Sequence, residues 1–98
     1  MTHTALDPAE YAALERLLKL ALNDSAAARC AADFLLAWYN AAEYGGFDPA
    51  GLWDLKEPQA ADVLTLIAYI ARAGHGPEPL GISDEMKKIV RMWRSTSQ

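Results

Sequence analysis

The chain has 98 residues, 52% of them hydrophobic, and a formal net charge of −4. That length suits one domain near the small end of what buries a self-sufficient core, and the apolar fraction excludes disorder. The acidic balance excludes indiscriminate binding to nucleic acid or anionic membranes as the default role, and the single cysteine excludes an intramolecular disulfide or a multi-cysteine metal site.

Alanine and leucine dominate while valine and isoleucine are few, which favours helix over sheet. The opening residues Met-Thr-His-Thr-Ala-Leu-Asp-Pro lack the basic region and apolar run of a secretory signal. No apolar run approaches the ~20 residues of a membrane span. A cytoplasmic protein with no membrane association is expected.

Residues 1–6 show no periodicity and are expected to fray, as are 95–98, leaving an ordered core over about 7–94. The first helix starts at Asp7: an N-cap acid, Pro8 at the first helical position, and Glu10 completing a capping box. Tyr11, Leu14, Leu17, Leu18, Ala21 and Leu22 recur at helical spacing, with Glu15 and Lys19 as an exposed pair. The helix is expected to end near Asn23, where Asn-Asp-Ser both stops one helix and caps the next.

The second helix spans about Ser25 to Tyr44. Ala27, Cys30, Ala31, Phe34, Leu35, Trp38 and Ala42 make its apolar stripe, and Leu36 and Tyr39 off that stripe imply contacts on more than one side. Asp33 is placed to pair with Arg29. Asn40 is a poor interior residue whose side chain is expected to bond a neighbouring loop. Gly45-Gly46 stops the helix. Phe47 folds back, and Asp48-Pro49 opens a short helix carrying Leu52, Trp53 and Leu55.

Glu57-Pro58 opens the fourth element. Between residues 60 and 73 the only polar strip is Asp62, Thr65, Tyr69 and Arg72, spaced 3, 4 and 3 apart. A helix so apolar around its girth is expected at the centre of the fold, packed on the second. Two glycines and two prolines make residues 74–79 a mobile loop. Leu80 and Ile82 pin its far end. Ser83 caps the last helix, which buries Met86, Ile89, Val90 and Trp93. The expected fold is all-α: a compact single-domain bundle of about five helices without a sheet, its second and fourth helices central.

No catalytic motif is present. His3 and His75 have no third ligand at metal-site spacing, Cys30 lies on an apolar stripe as a buried thiol does, and capping accounts for Asp7, Asp48 and Asp84. No phosphate, dinucleotide or calcium loop occurs. The reading is therefore not an enzyme, with no cofactor and no metal. Three tryptophans and four tyrosines exceed what so small a core requires, and such side chains anchor interfaces. Tyr44, Phe47, Asp48, Trp53, Asp54 and Tyr69 are the candidate protein-contact residues of a monomer or homodimer, with Tyr39 a further aromatic expected at the surface. The alternative is a small DNA-binding regulator. Residues 1–80 hold eleven acids and five bases, but residues 81–98 hold two acids and four bases. Those bases, Lys87, Lys88, Arg91 and Arg94, share one side of the last helix, as in a recognition helix.

Ala32-Asp33-Phe34-Leu35-Leu36-Ala37-Trp38-Tyr39-Asn40-Ala41, Gly45-Gly46-Phe47-Asp48 and Leu52-Trp53 resemble a family of small uncharacterised proteins carried on proteobacterial plasmids and integrative elements. Further matches are Ala61-Asp62, Ile70-Ala71-Arg72, Leu80-Gly81, Ile89-Val90-Arg91 and Trp93-Arg94, so the likeness covers roughly residues 13–94. Tyr39 departs from it, standing where a second tryptophan is expected. The resemblance implies a mobile-element setting and no assigned activity. Small acidic proteins of that setting act stoichiometrically on host proteins, and inhibitors of CRISPR defence are similar in size, charge and lack of motifs. A non-enzymatic protein-binding module, inhibiting or modulating a host or defence complex, is the expectation.

Overall fold

The computed structural model describes residues 5–94. It is all-α: α1 (Pro8–Ala21), α2 (Ala26–Tyr44), a 3-10 helix (Pro49–Asp54), α3 (Glu57–Ala73), a 3-10 turn (Glu78–Leu80) and α4 (Ser83–Trp93). No strand occurs among the described residues. Residues 1–4 and 95–98, most of the segments expected to fray, lie outside the described residues, as does His3. Leu6, also expected to fray, packs against the core.

Local chemistry sets the boundaries. The Asp7–Glu10 capping box closes in both directions, at 2.8 and 2.9 Å, and Ser25 Oγ accepts from the Ala28 amide at 3.0 Å. Gly45 ends α2 at φ 96°, ψ 163°, a conformation essentially confined to glycine. Asp48 Oδ1 accepts from Ala50 N at 2.9 Å and starts the 3-10 helix. Ser83 is the first residue of α4 rather than its cap; Ile82 holds that position without a side-chain bond.

The layering differs from the expected one. α1 is central, packing extensively on both α2 and α3, and α4 packs chiefly on α2. Leu14, Leu17, Leu35, Leu36, Val63, Leu66, Met86 and Ile89 are fully buried between them. Being central turns α1: Glu10 is buried towards α3, while Tyr11 and Leu22, both expected in the apolar stripe, are exposed.

α3 is turned over relative to its sequence reading. Its polar strip faces inward because α1 supplies matching charges. Arg16 donates to both oxygens of Asp62 at 2.8 Å, and Arg72 reaches Glu10 at 2.9 Å. Such charge-assisted bonds hold charges against the core that would otherwise seek water. Their order, Glu10 with Arg72 and Arg16 with Asp62, holds α1 and α3 antiparallel.

The ends of the last helix close the bundle. Trp93 Nε1 donates to the carbonyl of Ala21, the last residue of α1, at 2.7 Å. Arg94 Nε donates to the carbonyl of Tyr44, the last of α2, at 3.0 Å, and its other arm holds Asp33. Asp33 thus pairs with Arg94 and not with Arg29. Helix C-termini leave carbonyls unmet, and here two of them take donors from α4.

Candidate functional site

Two features meet at the corner that follows α2. The first is a break. Asn40 leaves helical geometry (φ −166°, ψ 84°) and its Oδ1 accepts from Glu43 N at 3.2 Å, so it caps a separate last turn instead of bonding a neighbouring loop. The turn brings Tyr44 back onto Tyr39 as a parallel stack with ring centres 6.0 Å apart. It also exposes Ala42, which a straight helix would have buried.

The second is the 3-10 helix, held close to α2. A Cβ on Gly51 would stand 3.2 Å from Cys30 Sγ, so glycine permits that approach. Leu52 and Leu55 pack against the core, which turns Trp53 out to 86% exposure. Phe47 packs edge-on against Phe34 at 5.5 Å and forms a wall shared by two concavities. On one side lies a hollow of about 620 Å³ lined by Asp24, Asp33, Asp48, Asp54 and Arg29, Asp33 being paired with Arg94. On the other lies an apolar groove of about 370 Å³ between Phe34, Trp38 and Phe47 and the α3 residues Ile67, Ile70 and Ala71.

The structure therefore brings Phe47, Asp48 and Asp54 together around one hollow, with Trp53 projecting from the 3-10 helix beside Asp54 and Tyr44 stacked apart on Tyr39. Tyr69 does not join them. It is fully buried, so its expected role as a surface contact is corrected. α3 points its ring at α1 and α2, edge-on to Trp38 at 6.4 Å and beneath the Arg72 guanidinium at 5.4 Å. Its hydroxyl meets His75 Nε2 at 3.2 Å. His75 Nδ1 lies 2.6 Å from the Gly76 carbonyl, which can only accept. In the neutral ring Nε2 is then the acceptor of the Tyr69 proton. Trp38 Nε1 adds a bond to the His75 carbonyl at 3.1 Å, and Pro77 is fully buried. The loop expected to be mobile is tied to α2 and α3 by these contacts.

Of the candidate nucleic-acid residues, Lys87, Lys88 and Arg91 are exposed on α4, whereas Arg94 is spent inside the fold on Asp33 and Tyr44. Cys30 is buried, and burial first, then Asp33 and Asp54, push its thiol up to about 11, which suits a core residue and not a nucleophile. Among the described residues no cluster of histidine, cysteine and carboxylates could hold a metal, and no helix is long and apolar enough to cross a membrane.

The sequence reading missed the outer face of α3, where Leu64 is 58% and Ile67 40% exposed. The signal was present: Glu10 and Arg16 on the first helix have the charges, in reverse order, to take up Arg72 and Asp62.

A search of curated proteins found no match, and a search of solved structures found none either. The profile of one family of unknown function, DUF7673, matches residues 11–94, and the chain belongs to that family.

Proposed function

We propose that the protein is a non-enzymatic protein-binding module of a mobile genetic element, acting in the cytoplasm as an inhibitor or modulator of a host or defence complex, in the manner of anti-CRISPR proteins. The observation that carries this reading is Trp53, an 86% exposed tryptophan next in the chain to Asp54, whose hollow also holds Asp24 and Asp48 outside any ion pair with Arg94. Tryptophan is a favoured interface anchor, and an acidic rim steers a basic partner to it. Phe47 extends the anchor into the apolar groove. The partner this corner suits is a protein with a basic rim around an apolar pocket. The mobile-element setting rests on the family resemblance. The DNA-binding alternative retains Lys87, Lys88 and Arg91 but loses Arg94.

The test is affinity capture from the native host with the wild type, Trp53→Ala, Asp54→Lys and, on the opposite chemistry, Lys88→Ala. The expected result is a captured protein lost with the two corner variants and retained with Lys88→Ala, at unchanged helical circular dichroism. Capture indifferent to Trp53 and Asp54 would refute the reading.

A further inference from the structure

The outer face of α3 has the pattern of a helix that packs on another helix, yet no element among the described residues covers it. Glu57, Ala61, Leu64, Ala68 and Ala71 succeed one another at intervals of 4, 3, 4 and 3 residues, the interval set of a helix–helix seam. Ile67 flanks the stripe and joins it to the groove beside Trp38. Between Glu57 in the first turn and Arg72 in the last, this face carries no charge.

We propose that a second copy of the chain covers this face, the two α3 helices packing antiparallel about a two-fold axis at the level of residue 66. In that register Leu64 falls opposite Ala68 of the second copy, and Ala61 opposite Ala71. Each layer then sets a large side chain against a small one or alanine against alanine, which lets the helices approach closely. Charge selects the orientation. Antiparallel packing lays the Glu57 end of each helix beside the Arg72 end of the other, whereas parallel packing would set Glu57 against Glu57. Arg72 is able to serve both acids: its side chain is half exposed while it holds Glu10, and a guanidinium has five donors. The contact is isologous, as a two-fold dimer requires. It borders the corner only at the groove, where Ile67 and Ala71 share a lining with Phe47, and it does not include Trp53 or the aspartates of the hollow, so the dimer would present two such corners.

Sedimentation velocity on the full chain over a wide concentration range tests this. The expected particle has about twice the 10.7 kDa chain mass, and Leu64→Glu, at an exposed position the monomer's fold does not need, weakens association by about 30-fold or more, the loss of an interface hot spot. Cysteine crosslinking reads the register without interference, because the native Cys30 is buried. Mixed Ala61→Cys and Ala71→Cys chains are expected to link under mild oxidation, and neither is expected to link to itself. A monomer at every concentration, a dimer indifferent to Leu64→Glu, or self-linking Ala61→Cys would overturn the inference. If the chain is monomeric while Trp53→Ala still loses its captured protein, self-association alone falls. If the dimer forms and capture ignores Trp53, the corner reading falls instead.

Discussion

Cys30 illustrates how one buried atom shapes its surroundings. Its sulfur sits where the 3-10 helix meets α2, close enough that a Cβ at position 51 would stand 3.2 Å away and press the two elements apart by a few tenths of an ångström. Burial and the nearby Asp33 and Asp54 raise its pKa from the ordinary 9.0 to about 11. An acid whose pKa is raised by folding keeps its proton in the fold after the unfolded chain has lost it. The resulting stability is fully present below pH 9 and declines as pH rises towards 11. Tyr69, also raised chiefly by burial, acts in the same direction at its own higher range. Urea unfolding from neutral pH upward is expected to show a loss of stability across the thiol window in the wild type and a flatter profile in Cys30→Ala. In the folded protein at neutral pH the thiol is expected to resist alkylation until urea exposes it.

α3 sets two leucines, two residues apart, in opposite environments. Leu66 is fully buried and Leu64 is 58% exposed. Leu66→Ala is expected to cost about 2–5 kcal/mol, as for core leucines, and Leu64→Ala within about 0.5 kcal/mol at low protein concentration. Equal losses in urea unfolding would mean that α3 is not turned as described. This helix also marks the limit of what the sequence made legible. Caps and stops depend on neighbours in the chain, so Asp7, Ser25, Gly45 and Asp48 were readable at their own positions. Facing depends on another helix. Asp62 and Arg72 read as a solvent strip because nothing local reveals that Arg16 and Glu10 await them across α1. Asn40 lies between these cases: with Glu43 three residues later it has the spacing of a helix start, but it stands inside a longer periodic run that hides it. At the candidate site the proximity of Phe47, Asp48 and Asp54 was legible from their closeness in sequence. The hollow and the groove were not, since Asp24, Asp33, Ile67 and Ile70 join them through tertiary packing.

At the scale of the molecule, three of the four helices, α1, α2 and α4, are tied together by two side chains. Trp93→Phe keeps the ring against the core but leaves the Ala21 carbonyl without its donor, and Arg94→Met releases both Tyr44 and Asp33. Each is expected to lower stability by about 1–2 kcal/mol, read as a shift in the urea midpoint without a change in slope. A larger slope change would instead indicate that α4 detaches from a still-folded remainder. The same junction has a consequence for how the fold breathes. Helix ends ordinarily fray on their own, each amide opening at its own small cost. Here the terminal turns of α1, α2 and α4 open together, because undoing the end of α4 releases the other two. Amide hydrogens in those three turns should therefore exchange as one cooperative unit, and slowing one by a better cap would slow them all.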